Sequence, residues 1–314
     1  MHPSPWRSPS ARRWPEPSVD AALEQALGRA LQRLEAWLPP LEPPVDFAQI
    51  PAAVWRAGPL GGHLAPRGQV DPIGVDDLLG IERQKRRVLV NTRQFIAGLP
   101  ANNVLLWGAR GSGKSSLVHA LLNAHQADGL RLVEVDRAAL TSLPEIVARL
   151  APEPWRFILF CDDLSFEADD PSYKALKSVL EGSVFTTSEN IVVYATSNRR
   201  HLLPEFQAEN LETRHTPDGE IHPGETTEEK VSLSDRFGLW VSFQPMPQAQ
   251  YLDVAAHWVG RLAQRHGESL PFDEEARAEA LRWALARGNR SGRTANHFAR
   301  HWVGTRLLDA AGQT

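Results

Sequence analysis

Apolar residues recur with different periods along the chain, and this separates helical from extended segments. Near the start, five leucines fall on one stripe of a predicted helix that follows Ser18 and ends before Pro39: Leu23, Leu27, Leu31, Leu34 and Leu38. Such a stripe needs a partner surface, either in its own domain or on another subunit or protein. Residues 39–71 are rich in proline and glycine without clear periodicity. This composition predicts a linker or a loosely packed arm. We therefore expect residues 18–71 to form an N-terminal helix followed by a linker arm.

From residue 72 onward, helical and strand patterns alternate, as a sheet with parallel strands requires. Four continuous apolar runs are typical of strands covered on both faces: residues 104–107, 130–135, 157–161 and 191–195. Three segments have helical patterns: residues 75–97, 115–123 and 172–180. We therefore predict an α/β domain over residues 72–245.

The C-terminal part of the chain has only helical patterns, over residues 248–266, 273–287 and 294–308. These predict a small α-helical domain at residues 246–314. Residues 207–229 are polar, acidic and poor in large apolar side chains, so we expect a mobile surface insertion there. The first 17 residues contain Arg, Pro and Trp without a following apolar run, and are predicted to be a disordered tail rather than a signal peptide.

Composition restricts the classes of protein to which this chain can belong. The 314 residues carry a net charge of -4, so no global positive field attracts nucleic acid or anionic lipid, although a local basic patch is compatible with that charge. The single cysteine, Cys161, excludes an intrachain disulfide and suits a reducing compartment, and we expect the cytoplasm. No apolar run reaches the roughly 18 residues that a membrane helix needs, so no membrane association is expected.

Residues 108–115 read GARGSGKS and fit the pattern G-x-x-x-x-G-K-[ST], directly after a predicted strand and at the start of a predicted helix. In this pattern the glycines let backbone N–H groups surround phosphate oxygens, the lysine reaches the terminal phosphates and the hydroxyl residue binds Mg²⁺. Lys114 and Ser115 are these two residues. The residues expected to contact the nucleotide here are Gly108, Ala109, Arg110, Gly111, Ser112, Gly113, Lys114, Ser115 and Ser116.

Two carboxylates follow the apolar run 157–161, where the strand would end beside the phosphate loop. Asp162 is the predicted Mg²⁺ ligand with Ser115. Asp163 lies where a carboxylate polarises the attacking water, although glutamate is usual at that position and aspartate is one methylene shorter. Hydrolysis could therefore be slow or depend on rearrangement, and Glu167 is a weaker alternative. Acids that only cap the next helix are the competing interpretation.

Three further segments follow these motifs along the chain: residues 191–198, 234–238 and 291–293 read IVVYATSN, SDRFG and SGR. Together and in this order, these features resemble the AAA+ ATPases. The resemblance implies that Asn198, with Thr196 as the alternative, is the sensor 1 residue between the acids and the γ-phosphate. It further implies that Arg236 is an arginine finger that reaches the nucleotide of a neighbouring subunit, and that Arg293 is the sensor 2 arginine. Residues 77–81 resemble the AAA+ segment beside adenine, which would bring Gly80 and Ile81 to the base.

A closer resemblance covers most of the chain from about Trp55 onward. Residues 99–107, 161–166 and 195–204 read LPANNVLLW, CDDLSF and ATSNRRHLLP, and are similar to bacterial AAA+-like proteins grouped as the domain of unknown function numbered 815. The resemblance implies a three-layer P-loop NTPase (AAA+) α/β sandwich with a parallel sheet, followed by a small α-helical lid. It implies binding of ATP and does not specify a substrate.

Three functions fit these features. The first is an oligomeric, Mg²⁺-dependent ATPase that moves its lid against the α/β domain and acts on a protein or nucleic-acid partner. The second is an ATP-dependent binding switch with little hydrolysis, and the third is a P-loop small-molecule kinase. A GTPase is disfavoured because no Asn-Lys-x-Asp segment is present, so the expected cofactors are ATP and Mg²⁺.

Overall fold

The protein is described by a computed structural model for residues 21–37, 43–58, 61–68, 70–166, 170–180, 189–199, 202, 214–215, 221–222 and 236–312. The chain divides into two compact units, residues 1–43 and 44–314. The first unit contains helix α1 (Ala21–Trp37), on which Leu23, Leu27 and Leu31 are 62%, 62% and 54% exposed. The predicted tail at residues 1–17 and most of the predicted insertion at 207–229 lie outside the described residues.

The second unit is built on a sheet in which the described residues form seven strands, in the order β2-β1-β4-β5-β6-β3-β9. The strands are β1 (Ala52–Arg56), β2 (His63–Pro66), β3 (Val104–Gly108), β4 (Leu130–Glu134), β5 (Arg156–Cys161), β6 (Ile191–Ser197) and β9 (Leu239–Phe243). All neighbours are parallel except the edge pair of β1 and β2. A separate short antiparallel pair consists of β7 (Arg214–His215) and β8 (Ile221–His222).

Helices cover both faces of this sheet, because strand residues alternate between two apolar cores. Leu105 faces one core, which also contains side chains of α4 (Leu143–Leu150) and α5 (Pro171–Leu180). Its neighbours Val104 and Leu106 face the other core, with α2 (Glu82–Ile96) and α3 (Lys114–His125). The result is a three-layer α/β sandwich with a mostly parallel sheet, as the resemblance implies.

The C-terminal helices pack around a third core of their own. They are α6 (Gln248–Arg265), α7 (Glu274–Ala286) and α8 (Gly292–Ala310). Tyr251 and Phe298 are fully buried there, and the Tyr251 hydroxyl donates a 2.9 Å hydrogen bond to the Ala280 carbonyl. No helix in the described part of the chain has the length and apolar character needed to cross a membrane.

The structure differs from the sequence-based expectation in the segment predicted to be a loose arm. Residues 52–56 and 63–66 are strands of the sheet, and Trp55 is only 1% exposed. Strand β1 is fixed by parallel pairing with β4, a partner distant in sequence that no local pattern indicates. The helix predicted over residues 75–97 is interrupted, because a 3-10 turn at Val75–Asp77 and a left-handed Gly80 precede α2.

Candidate nucleotide-binding site

The phosphate loop connects the end of β3 to the start of α3, as the GARGSGKS motif predicts. Gly108, Gly111 and Gly113 have φ angles of 130°, 71° and 99°, which glycine adopts without strain. At Gly108 a Cβ atom would lie 2.0 Å from the Phe243 carbonyl oxygen, so the close approach of β9 also requires glycine. The loop is thereby held against β9, with a hydrogen bond of 3.1 Å from the Ala109 N–H to the same carbonyl.

The Lys114 ammonium lies inside the curve of this loop. Its Nζ donates to the carbonyl oxygens of Gly108 and Ala109 at 2.8 and 2.9 Å, and to Asn198 Oδ1 at 3.2 Å. Burial lowers the pKa of Lys114, and the carboxylates of Asp162 and Asp163 oppose that shift. A phosphate group entering the loop would meet a cation that is partly desolvated and already directed at it.

Asp162 lies just beyond the end of β5 and beside the first turn of α3. Its Oδ1 accepts hydrogen bonds from Ser115 Oγ at 2.6 Å and from Thr196 Oγ1 at 2.5 Å. A carboxylate and a hydroxyl are the hard oxygen ligands that Mg²⁺ prefers, and Mg²⁺ in phosphate sites takes its other ligands from water and phosphate. Ser115 and Asp162 therefore fit the ion. Among the described residues no group of three or more His, Cys, Asp or Glu forms a metal cluster, and a site of this kind does not need one.

Asp163 has a backbone conformation that is rare for a residue with a side chain, with φ of 52°. Its N–H donates to Thr196 Oγ1 at 2.8 Å, and its carboxylate accepts a short hydrogen bond from Asn198 Nδ2. The second carboxylate oxygen lies 3.6 Å from an Arg110 guanidinium nitrogen. Thr196, the alternative sensor residue, is 1% exposed and lies beneath the two acids, whereas Asn198 is exposed and contacts Lys114.

A cleft of about 410 Å³ extends from the phosphate loop between residues 71–81 and the C-terminal helices. Its apolar lining comes from Ile73, Leu78, Leu79, Ile81, Met246, Val254, Trp258 and Leu262. Such a lining suits a nucleobase. Of the two residues that the resemblance brings to the base, Ile81 lines this cleft and Gly80 does not. The Gly80 carbonyl accepts a hydrogen bond of 3.0 Å from Gln250 Nε2.

The last helix, α8, begins against the phosphate loop. The Gly292 N–H donates to the Gly111 carbonyl at 2.9 Å, and a Cβ atom on Gly111 would come within 2.8 Å of Ser291 Oγ. Arg293 follows in the first turn of α8 and lines the cleft. The predicted sensor 2 arginine and the phosphate loop are thus neighbours, although they are far apart in sequence.

Asp77 joins the α/β domain to α6 at the edge of the cleft. This aspartate is 8% exposed, accepts a 2.6 Å hydrogen bond from the Gly74 N–H, and pairs with His257 at 3.0 Å and with Arg261. No local pattern indicates a role for Asp77, because His257 lies 180 residues further along the chain. Trp258, Arg265, His297 and Arg300, which also line the cleft, were not predicted either. The spacing of His297 and Arg300 from Arg293, four and seven residues, was the available signal.

Arg236 lies away from this cleft. It precedes β9, whose first residue Leu239 pairs with Val104 at the start of β3, whereas the phosphate loop follows the end of β3. The start and the end of β3 are separated by the length of a five-residue strand, about 16 Å. Arg236 is partly exposed.

Comparison with known proteins identifies the family. The chain matches the family described as "Protein of unknown function (DUF815)" over residues 48–306. No curated protein matches it. A variant of Thermotoga maritima RuvB superposes with a TM-score of 0.50 and 15% identity, over 76% of this chain and 66% of that one. Aeropyrum pernix Orc1 in complex with DNA superposes with a TM-score of 0.50 and 17% identity, over 74% of this chain and 61% of that one.

This chain therefore spans just under two thirds of the length of these RuvB and Orc1 chains. At such low identities the likeness concerns the fold, a mostly parallel sheet with helices on both faces and a helical C-terminal region. The family match covers most of the chain, and so the chain belongs to the DUF815 family, a family of unknown function, and has the AAA+ P-loop fold.

Proposed function

We propose that the protein is a Mg²⁺-dependent ATPase that acts as an oligomer on a protein or nucleic-acid partner. The observation that carries this proposal is the contact of Asn198 with both Lys114 and Asp163. This contact brings a phosphate-binding cation and a carboxylate to the same point. Nucleotide binding requires the cation, and hydrolysis also requires a carboxylate at this point to accept the proton of the attacking water.

The proposed reaction is hydrolysis of the terminal phosphate. A water oxygen attacks the γ-phosphorus, the bond from that phosphorus to the bridging oxygen breaks, and ADP leaves with the electron pair. Asp163 accepts the proton of the attacking water and releases it to solvent. Lys114 stabilises the phosphate oxygens, and Mg²⁺ bound by Ser115 and Asp162 would neutralise further charge.

We propose that Arg236 acts on the nucleotide of a neighbouring subunit. The support is the position of Arg236 beside the start of β3, whereas its own phosphate loop follows the end of that strand. The distance of about 16 Å between the two ends is beyond the reach of an arginine side chain. An arginine in this place contributes to hydrolysis only in an assembly. Arg236→Ala should then lower turnover at least tenfold and leave nucleotide affinity nearly unchanged.

Nucleotide binding would be transmitted through contacts at two ends of the cleft between the C-terminal helices and the α/β domain. These are the Gly292 to Gly111 hydrogen bond at the phosphates and the Asp77 contacts at the base end of the cleft. A nucleotide that contacts both sides stabilises the closed arrangement by its difference in affinity for the two states. We propose that this movement of the lid, residues 246–314, is what a partner senses.

A second candidate is an ATP-dependent binding switch with little turnover. Two features of Asp163 favour it: the side chain is one methylene shorter than glutamate, and its carboxylate already contacts Asn198 and Arg110. In that case nucleotide occupancy alone would set the lid position.

Steady-state ATP hydrolysis measured against protein concentration tests both candidates, with Lys114→Ala as the blank. A specific rate that rises with protein concentration, and that Arg236→Ala lowers at least tenfold, supports the oligomeric ATPase. A rate equal to that of the blank, together with ATP binding that Lys114→Ala removes, supports the switch. Absence of ATP binding to the wild-type chain would exclude both functions.

A further inference from the structure

Arg110 is the one residue of the phosphate loop with a charged side chain that is exposed to solvent rather than directed into the loop. It is 78% exposed, and a guanidinium nitrogen lies 3.6 Å from Asp163 Oδ2. Lys114, the other cation of the motif, is directed into the loop. The two cations therefore approach the acids of the site from different sides.

A continuous row of contacts joins these two cations. Lys114 donates to Asn198, Asn198 donates to Asp163, and Asp163 pairs with Arg110. A phosphate group held by Lys114 beside Asn198 is therefore separated from Arg110 by no more than the Asp163 carboxylate. The charge of Arg110 also acts on Lys114, since it contributes to lowering the pKa of that lysine.

We propose that Arg110 binds the terminal phosphate of ATP in its own chain, and that in doing so it leaves Asp163. This inference rests on the proposed nucleotide site and gives the Arg110 side chain a direct contact with the substrate. Arg110 would discriminate the triphosphate from the diphosphate, and its departure would free one oxygen of Asp163 for the attacking water.

The exchange of partners is favourable on electrostatic grounds. The Arg110–Asp163 pair is exposed on both sides, 78% and 58%, and solvent-exposed ion pairs are weak. A terminal phosphate carries more negative charge than a carboxylate and offers oxygens that a guanidinium binds in a bidentate manner. Asp163 is not left without a donor, because the Asn198 amide still contacts its other oxygen.

The test compares the affinities of Mg²⁺ with a non-hydrolysable β,γ-imido analogue of ATP and of Mg²⁺ with ADP, for the wild-type chain and for Arg110→Ala. The expected result is a loss of about tenfold or more for the analogue, as for a lost charge-assisted hydrogen bond, with ADP affinity within about threefold of wild type. Arg110→Lys should restore part of the analogue affinity. Arg282→Ala is the matched control, because Arg282 is an exposed, ion-paired arginine on α7 and remote from the cleft.

Equal loss of affinity for both nucleotides would overturn the inference, because it would mean that Arg110 only maintains the loop. Unchanged affinity for both, with a higher rate of hydrolysis, would also overturn it, since Arg110 would then merely restrain Asp163. The binding measurement does not require turnover. A wild-type chain that binds the analogue without hydrolysing ATP would therefore contradict the proposed ATPase and still test Arg110.

Discussion

Asn198 donates a hydrogen bond from its side-chain amide to the carboxylate of Asp163, a residue 35 positions earlier in the chain. The amide oxygen of the same asparagine accepts a hydrogen bond from Lys114. Asn198 follows the end of β6 and Asp163 lies two residues beyond the end of β5, and these strands are parallel neighbours in the sheet. This contact depends on strand order, and it connects the group proposed to bind phosphate to the group proposed to activate water.

Replacing Asn198 should impair the chemical step more than binding. Asn198→Ala removes one donor from Asp163 and one acceptor from Lys114, so we expect kcat to fall about 10- to 100-fold and ATP affinity to change by less than about threefold. Single-turnover hydrolysis and equilibrium binding measure the two effects separately. Gln94→Ala, an exposed amide on α2, is the control, and a loss of affinity as large as the loss of kcat would contradict this assignment.

The role of Asp163 can be tested without disturbing its backbone. Asparagine tolerates the left-handed conformation that Asp163 adopts, so Asp163→Asn removes the negative charge at little conformational cost. We expect turnover to fall at least about 100-fold with ATP still bound, because the proposed general base is lost.

Asp163→Glu lengthens the side chain that carries the carboxylate by one methylene. If the short side chain limits hydrolysis, this variant should turn over ATP faster than wild type. Asp163→Asn with wild-type turnover would exclude Asp163 as the base.

Asp77 should contribute both to stability and to nucleotide affinity. Asp77→Ala removes the carboxylate that accepts from the Gly74 N–H and pairs with the partly buried Arg261 and His257, and we expect a loss of about 2 kcal/mol in the free energy of unfolding. ATP affinity should also fall, since the carboxylate joins the lid to the cleft.

Urea denaturation and equilibrium binding measure these two effects of Asp77→Ala. The neighbouring Asp76 is exposed and serves as the control, with an expected effect of Asp76→Ala within about 0.5 kcal/mol. If both variants unfold at the same urea concentration, the contacts of Asp77 do not stabilise the junction between the lid and the α/β domain.

The single cysteine offers a test of the buried sheet. Cys161 is fully buried at the end of β5, and burial, with a smaller contribution from the Asp162 carboxylate, raises the pKa of its thiol to about 12. Since the thiolate is the reactive form, the folded chain should stay inert to a thiol reagent between about pH 7 and 10, whereas an ordinary cysteine becomes reactive near its pKa of about 8.5. The same chain in denaturant provides the control. Rapid labelling of the folded chain at pH 8 would show that this strand end is open to solvent.

Much of the α/β domain could be predicted because its signals are local. The four apolar runs became β3, β4, β5 and β6, and the three C-terminal helical patterns became α6, α7 and α8. Strand β1 was not predicted, since its burial comes from pairing with β4 rather than from its own pattern. Gly80 shows the same limit at the site: its neighbour Ile81 faces the cleft, and Gln250 from α6 covers Gly80.

A phosphate-binding loop could be predicted without the fold, because the glycines and Lys114 lie within eight consecutive residues and need only the local turn they form. Which groups contact that loop could be seen only once the chain was folded. Lys114 reaches Asn198 across 84 residues, Ser115 reaches Asp162 across 47 and His257 reaches Asp77 across 180. Contacts of this kind follow from strand order and helix packing, which depend on the whole sequence at once. The cleft and the partners of its charged groups were therefore not predicted from any single motif.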